Sequence, residues 1–255
     1  MSNRVLTIKQ QTLLTLLADG EFHSGTALAH CLGVSRVAVA KQLNQLADVL
    51  GLELIAVTGK GYRLALPLEL LNHDLIMENL ITDSRELISK LEIHTQIDST
   101  NRYLMEQLRQ QSVSGRVCFA EQQTHGKGRR GRVWVSPFGH NIYLSIAWQF
   151  STGAVALSGL SLAVGVAVIR ALKQLGIGDV GLKWPNDIYA QGKKLGGVLI
   201  EVSGETDGTC NTVIGVGLNV YLAQEQGANI TQAWTDLTTL LGQRPSIRNA
   251  LASSL

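Results

Sequence analysis

The sequence predicts an α+β protein made of two parts. Residues 8–50 carry apolar residues at helical spacing, broken by glycines, which favours three short helices. Most later segments read instead as short strands separated by turns that contain Gly and Pro. The 255 residues suffice for one large domain or two smaller ones. Pro67, followed by a predicted helix over about 68–81, marks the expected boundary between segments 1–67 and 68–255.

Composition and charge indicate an ordinary soluble protein. Hydrophobic residues make up 45% and charged residues 16% of the chain, and the formal net charge is +2. Cys31, Cys118 and Cys210 form neither a disulfide framework nor a metal signature, so we expect a reducing cytoplasm. The N-terminus lacks the apolar core of a signal peptide, and the most apolar stretch, 157–169, is too short to cross a bilayer and ends at Arg170. We therefore expect no membrane partner.

The first segment predicts a winged helix-turn-helix. Helices are expected at 8–17, 24–32 and 35–50, the last two capped by their first serine, and strands at 52–57 and 61–64 form the wing. The third helix would enter a DNA major groove with its N-terminal residues leading, and the tip of the wing would meet the backbone. DNA contacts are predicted for Ser35, Arg36, Val39, Lys41 and Lys60.

The charge of this segment limits how DNA could be bound. Six Lys and Arg against four Asp and Glu leave residues 1–67 with a net charge of +2. Because this attraction for DNA is weak, we expect two copies to bind together and double the phosphate contacts. A three-helix module that mediates protein contacts is the alternative interpretation.

Residues 126–132, Gly-Lys-Gly-Arg-Arg-Gly-Arg, form a segment that we call the basic loop. Three glycines and four cations in seven residues exclude a core strand or a stable helix. Backbone N–H groups and guanidinium forks can instead bind a ligand with several anionic oxygens, which predicts a phosphate and carboxylate clamp. The match to G-x-G-x-x-G is rejected, because strands at 133–135 and 141–148 follow it rather than a helix. A solvated loop or a nucleic-acid contact remains open on these residues alone.

Other polar runs lie around predicted strands of the second segment. Residues 98–101, Asp-Ser-Thr-Asn, precede a helix at 103–108 that one of them would cap, and the surplus could bind a polar group such as a ureido ring. Gln123 ends a strand at 117–123, and small residues in the strand at 213–220 would let a flat ligand approach. Further strands are expected at 91–94 and 198–202, a sheet-covering helix at 160–172, and a helix from about 225 that contains Trp234.

Five motifs occur in order: 98–101, 126–134, Lys-Trp-Pro-Asn-Asp at 183–187, Lys-Leu-Gly-Gly at 194–197 and Gly-Val-Gly-Leu-Asn at 215–219. Together they resemble the biotin–protein ligase family, over essentially the whole chain. With the helix-turn-helix in front, the chain is similar to the bifunctional members, which also repress biotin biosynthesis genes. The resemblance implies a mixed-sheet catalytic domain of the biotin/lipoate ligase type.

The resemblance also implies a two-step reaction. The biotin carboxylate attacks the α-phosphate of ATP, giving biotinyl-5'-AMP and pyrophosphate, and a lysine of a biotin carboxyl carrier protein of acetyl-CoA carboxylase then attacks the anhydride. Mg²⁺ is implied by ATP, although no metal-ligand set is visible. A homodimer with biotinyl-AMP bound would recognise operator DNA. Cations are needed because a carboxylate and a phosphate repel by about 4 kcal/mol per charge pair at ~4 Å for an effective dielectric of ~20.

Site residues follow from matching the motifs position by position. For catalysis the resemblance implies Lys194 and Arg129. For biotin it implies Ser99, Thr100, Asn101, Gln123, Lys127, Gly128, Arg129, Trp134 and Lys194. For the phosphates and the adenylate it implies Arg129, Arg132, Asn186, Asp187, Asn219 and Trp234.

Two features depart from the family pattern. Lys127 stands where the family usually has Arg, which replaces a bidentate grip on a carboxylate by a point charge. We expect the C-terminal β-barrel domain of the family, which contributes to ATP binding and acceptor docking there, to be absent from this chain, which ends at Leu255. A biotin-sensing repressor with little ligase activity, or a lipoate–protein ligase, is the alternative.

Overall fold

The structure is a computed structural model that describes residues 6–110, 113–204 and 208–255. Its first part contains α1 (Ile8–Leu17), α2 (Gly25–Leu32), α3 (Arg36–Leu50), β1 (Leu54–Val57) and β2 (Gly61–Leu64). The predicted caps are present, because the side chains of Ser24 and Ser35 accept hydrogen bonds from the N–H groups of Ala27 and Ala38. β1 and β2 pair as an antiparallel hairpin, so the predicted winged helix-turn-helix is confirmed.

One face of α3 forms the core of this part. Val39, Leu43, Leu46 and Leu50 are buried at helical spacing. Val39 is 0% exposed, so the prediction that it contacts DNA is wrong. The neighbouring Val37, 80% exposed, points away from the core instead.

A seven-stranded mixed sheet organises the second part. Its strands are β3 (Lys90–His94), β4 (Arg116–Ala120), β5 (Ile142–Phe150), β6 (Val180–Lys183), β7 (Asp187–Ala190), β8 (Lys193–Gly204) and β9 (Cys210–Leu218). The order across the sheet is β3-β4-β5-β9-β8-β7-β6; β3 and β4 are parallel, and the other neighbours are antiparallel. The helices are α4 (His73–Asn79), α5 (Thr82–Leu87), α6 (Thr100–Leu108), α7 (Leu160–Gln174), α8 (Gln224–Gly227), α9 (Leu237–Leu241) and α10 (Arg248–Ser254).

Alternation along the strands gives the sheet two different faces. One face packs against α4, α7 and α10 in a large core that includes Leu172 and Leu251. On the other face α6 covers β4, β5 and β9, with Leu104 packed among Cys118 and Ala147. The remainder of that face, along β8 and β9, is open and lines a cavity.

Two predicted elements in the first half of this part have different bounds. Residues 68–72 are not helical; the first helix begins at His73, because the Asn72 side chain caps it by accepting from the N–H of Leu75. β4 ends at Ala120 rather than at 123. Residues 133–135 are not part of the sheet, since Trp134 donates its N–H to Gly126 O (2.9 Å) and folds this segment back onto the basic loop.

The predicted helix through Trp234 is also wrong. The helix near 225 is only α8, and residues 233–235 lie beside β8 instead. There the N–H of Lys194 donates to Ala233 O (3.0 Å), and the N–H of Thr235 donates to Lys194 O (2.9 Å). These long-range hydrogen bonds hold the segment in an extended conformation.

The two parts share an apolar contact. Phe138, from the segment between the basic loop and β5, is fully buried in the core of the helical part together with Leu68. The N–H of Leu68 donates to Ala18 O (2.7 Å). The core of the first part therefore draws residues from both sides of the predicted boundary at 67/68, which itself stays a prediction.

Among the residues that the structure describes, one helical stretch, 154–174, is long and apolar enough to cross a membrane, judged by length and composition alone, and it contains α7. This stretch is longer than the apolar run expected from the sequence. In the structure α7 packs on β6, β7 and β8, with Val168, Ala171 and Leu172 buried.

Candidate active site

A cavity of about 400 Å³ lies between the open face of the sheet and the basic loop. Twelve of the fourteen residues predicted to bind biotin, phosphate or adenylate line it. They are Ser99, Thr100, Asn101, Gln123, Lys127, Gly128, Arg129, Arg132, Trp134, Asn186, Asp187 and Lys194. Motifs far apart in the chain therefore converge on one site, and the volume is in the range of small-molecule pockets.

One end of the cavity is polar and buried. Ser99 caps α6 by accepting from the N–H of Arg102, which places Thr100 and Asn101 in the first helical turn. The N–H of Thr100 donates to Gln123 Oε1 (3.0 Å), and Gln123 Nε2 donates to Ser136 Oγ (3.1 Å). These side chains hold each other in fixed orientations, as a site for a neutral polar group requires.

Glycines on β9 make room for protein side chains of the site. A Cβ at Gly215 would clash with Asn101 Oδ1, and a Cβ at Gly217 would lie 2.5 Å from Trp134 Cε2. Gly215 and Gly217 also line the cavity, so the expectation that these small residues let a flat ligand approach stays a prediction. They let Asn101 and the Trp134 indole lie against the sheet, and Trp134 then forms one wall of the cavity.

The basic loop lies at the mouth of the cavity. It contains a short 3-10 turn, Arg129–Gly131, in which Arg130 has a φ of 57° and Gly131 a φ of 74°. The N–H of Gly128 donates to Arg132 O (2.7 Å), which closes the turn. Arg129 Nη1 donates to Asn186 Oδ1 (3.0 Å) across the cavity.

Lys194 is the best-fixed cation of the cavity. Its Nζ lies 2.8 Å from Asp187 Oδ1 and 5.5 Å from the centre of the Trp134 ring, and its side chain is mostly buried. The neighbouring Lys193 is exposed. Asp187 neutralises this buried cation, and Asn186 is held by a hydrogen bond from its Nδ2 to Val198 O (2.7 Å).

Asn219 and Trp234 do not line the cavity. Asn219 is buried and donates from Nδ2 to Thr235 O (3.1 Å), so in this conformation it holds the 233–235 segment in place. The Trp234 ring packs against Gly227 of α8. Their proposed contacts with the adenylate stay predictions that require a change of this segment.

Sequence reasoning missed two polar residues next to the site. Ser145 on β5 is hydrogen-bonded to Thr100 and Asn101, and Glu201 on β8 accepts from Asn101 Nδ2 (2.9 Å). Strand alternation indicates that each shares a face with its neighbours two residues away. The pairing of β5, β9 and β8, which brings them together, has no local sequence signal.

The predicted DNA-binding residues lie on the helical part, away from the cavity. Arg36 and Lys41 are exposed on α3, and Ser35 is its N-cap. Lys60, at the wing, is exposed with its Nζ 5.7 Å from the centre of the Phe22 ring. With Val39 excluded, the DNA contacts of these four exposed or capping residues stay predictions.

Comparisons with known proteins agree with this arrangement. Residues 93–219 match the model of the biotin/lipoate A/B protein ligase family, and residues 9–63 match a helix-turn-helix domain. The chain is 42% identical over 246 residues to "Bifunctional ligase/repressor BirA" of Escherichia coli (strain K12), covering 95% of this chain and 73% of the relative. It is 32% identical to the Bacillus subtilis (strain 168) protein of the same name, over 89% of this chain and 68% of the relative.

Among solved structures, a biotin protein ligase from Aquifex aeolicus in complex with biotin and ATP is similar. It has a TM-score of 0.51 and 31% identity over 66% of this chain and 68% of that chain.

Proposed function

The chain belongs to the biotin/lipoate A/B protein ligase family, and from this premise we infer that it is an ATP-dependent biotin–protein ligase that also acts as a DNA-binding repressor. The observation that carries the ligase half is the polarity of the cavity. One end offers buried, mutually fixed hydrogen-bonding groups, and the other offers the cations of the basic loop and Lys194.

At the polar end we propose that Ser99, Thr100, Asn101 and Gln123 bind the ureido ring of biotin. A ureido ring presents one carbonyl oxygen and two N–H groups, which match hydroxyl and amide side chains. The Trp134 wall would pack against the apolar bicycle, and the carboxylate on its valeryl chain would then point toward the mouth.

At the basic end we propose that the carboxylate meets the α-phosphate of ATP. Lys127 and the backbone of Gly128 would hold the carboxylate, with Arg129 and Lys194 at the reacting phosphate. A carboxylate oxygen attacks the α-phosphorus and pyrophosphate leaves. The fixed cations stabilise the charge that accumulates on the phosphoryl oxygens, without reorganisation at the moment of reaction.

We assign binding of the nucleotide to Arg132, Asn186 and Asp187. Asn219 and Trp234 would contribute after residues 233–235 rearrange. Mg²⁺ would come with the triphosphate, because the described residues offer no group of three or more His, Cys, Asp or Glu that could hold a metal ion. One or two carboxylates plus substrate phosphates are typical of such Mg²⁺ sites, and Asp187 is the carboxylate that lines the cavity. The ion would supply charge neutralisation.

The partners follow from the same inference. An acceptor lysine of a biotin carboxyl carrier protein would attack the carbonyl of biotinyl-AMP, releasing AMP. For the repressor half we propose that the exposed N-terminus of α3 enters operator DNA and that two copies bind together, since a net charge of +2 on residues 1–67 gives weak attraction for one copy. We further propose a cytoplasmic location, consistent with three free cysteines.

Biotin-dependent exchange of pyrophosphate into ATP tests the ligase half. We expect Lys194→Ala to lose at least about 100-fold in exchange rate, because a cation at the developing charge typically contributes on this scale. The matched control is Lys193→Ala, which removes the adjacent exposed lysine and should exchange at the parental rate. Equal rates in both variants would refute the catalytic assignment, and exchange with lipoate but not biotin would favour a lipoate ligase.

A further inference from the structure

A chain of four hydrogen-bonded side chains runs behind the polar end of the cavity. We call it the polar relay: Glu201, Asn101, Ser145 and Thr100. Asn101 Nδ2 donates to Glu201 Oε2 at 2.9 Å, Ser145 Oγ lies 2.6 Å from Asn101 Oδ1, and Ser145 Oγ lies 2.7 Å from Thr100 Oγ1. Thr100 and Asn101 line the cavity, whereas Ser145 and Glu201 stand behind them.

The relay has a direction that the carboxylate imposes. An ionised carboxylate can only accept, so the Asn101 amide must present Nδ2 to Glu201 and Oδ1 to Ser145. Oδ1 also only accepts, so the single hydroxyl proton of Ser145 is committed to it. The 2.7 Å contact between the two hydroxyls then needs the proton of Thr100, for which Gln123 Oε1 at 3.2 Å competes as an acceptor. In either arrangement Thr100 Oγ1 has given its proton to a protein group. The lone pairs of Thr100 Oγ1 are left for the cavity, as an acceptor.

Burial keeps water from the middle of the relay, whereas the Glu201 side chain at its end is 30% exposed. Ser145 is 0% exposed and Asn101 is nearly so. Gly215 leaves just enough space for Asn101 Oδ1, because any Cβ there would clash with it. A buried polar group that loses its partner is costly, so each member keeps its neighbour in one orientation.

We propose that Glu201 and Ser145 are positioning residues that make Thr100 an acceptor for a ureido N–H of biotin. This inference rests on the proposed function and adds to it a determinant of substrate specificity. Glu201 also connects this end to the basic loop, since its Oε1 lies 3.7 Å from Lys127 Nζ. One carboxylate thus acts on both ends of the substrate, through Asn101 at the ring and through Lys127 at the carboxylate.

Two variants test the relay, and the second separates it from the link to Lys127. Glu201→Gln keeps the shape of the side chain but can donate, so only the longer hydrogen bond from Asn101 Nδ2 to Leu199 O (3.4 Å) still opposes a flip of Asn101. Ser145→Ala breaks the relay and leaves the contact between Glu201 and Lys127 intact. For both we expect the Kd of biotin, measured by calorimetry, to rise about 10- to 100-fold, the range for a lost buried hydrogen bond. The KM for ATP and the kcat at saturating biotin should stay within about threefold.

The matched control is Thr212→Val. It removes another hydroxyl that is 0% exposed on the same sheet, but one bonded to Trp148 O (3.0 Å), outside the relay. The control should bind biotin with parental affinity. Desthiobiotin keeps the cyclic urea, so its affinity should fall by the same factor as that of biotin in the two relay variants.

The outcomes separate this inference from the proposed function. If the parent protein does not bind biotin, the proposed function fails first. If the parent binds and both relay variants bind equally well, the relay has no role. If Thr212→Val loses as much as Ser145→Ala, the effect is general packing. If only Glu201→Gln is weakened, Glu201 acts through Lys127 alone. Each of the last three results overturns the relay.

Discussion

Arg248 and the arginines of the basic loop have the same side chain in opposite surroundings. Arg248 is 2% exposed, with Nη2 2.7 Å from Glu121 Oε2 and further bonds to Asn141 O and to the backbone of Glu69. The three arginines of the basic loop are exposed. In the part of the chain that the structure describes, none of these three has a carboxylate within ion-pair distance.

The difference shows how the role of a charge follows from its partners. A guanidinium has five donors, and the donors of Arg248 are used inside the protein, where they join α10 to the residue after β4, to the residue before β5 and to the segment before α4. The donors of the basic loop remain largely unused and accessible at the cavity mouth. The first arrangement contributes to stability, and the second is available to an anionic ligand.

The largest effect should come from removing the buried charge. Arg248→Met would leave Glu121 buried without its cation, so we expect a loss of about 3–5 kcal/mol in the free energy of unfolding. Denaturant unfolding measures this, with the exposed Arg170→Met on α7 as the control. A loss below about 1 kcal/mol would mean that the pair is not needed for stability.

The same buried network makes stability depend on pH. Burial, helped by Arg244 and Arg248, lowers the pKa of His140 from 6.5 to about 3. The native state therefore keeps His140 neutral while the unfolded chain takes up a proton below its ordinary pKa. Stability should be fully present above about pH 6.5 and fall toward pH 3, by at most about 1.4 kcal/mol per pH unit from this residue.

His140→Gln should flatten this dependence between pH 6 and 4, whereas the exposed His30→Gln should not. Unfolding curves over this range provide the measurement. An unchanged slope in His140→Gln would assign the pH dependence to other groups.

Local signals predicted the helical part well, and the reason is visible in particular residues. Ser24 and Ser35 cap helices by bonding to a backbone group three residues later, and Gly33 and Gly51 end them in the left-handed conformation. Such interactions depend on neighbours in sequence. The prediction that Val39 contacts DNA was wrong because Val39 belongs to the buried apolar face of α3, which continues with Leu43.

Site residues that lie in sequence motifs were predicted, whereas site residues that are brought in by strand pairing were missed. Twelve of fourteen predicted ligand residues line the cavity. Ser145 and Glu201 become neighbours of Asn101 only because β9 lies between β5 and β8, and the β5–β9 pairing joins segments far apart along the chain, with Ile142 opposite Leu218. Trp234 was misplaced for the same reason, since Lys194, 40 residues earlier, fixes its segment.

Removing one of the unused donors of the basic loop should have a smaller effect, which changes ATP binding and leaves stability unchanged. Arg132→Ala removes one exposed cation, and the backbone bond from Gly128 to Arg132 O does not need the side chain. If Arg132 binds ATP phosphate, the KM for ATP should rise about tenfold, which corresponds to about 1.4 kcal/mol, with no change in unfolding. Arg109→Ala, another exposed arginine, is the control. An unchanged KM would remove Arg132 from the nucleotide site.

The smallest effect should come from changing the kind of cation in the basic loop without changing its charge. Lys127 offers a point charge, 3.7 Å from Glu201, at a position where the biotin–protein ligase family usually has Arg. A guanidinium can bond a carboxylate or phosphate with two parallel N–H groups, so Lys127→Arg should retain biotinyl-AMP longer. We expect its dissociation rate to fall about 3- to 10-fold, measured by chasing labelled adenylate from the purified protein. A faster release from Lys127→Arg than from the parent would show that the loop gains nothing from a bidentate partner at this position, and that the lysine suits its pairing with Glu201.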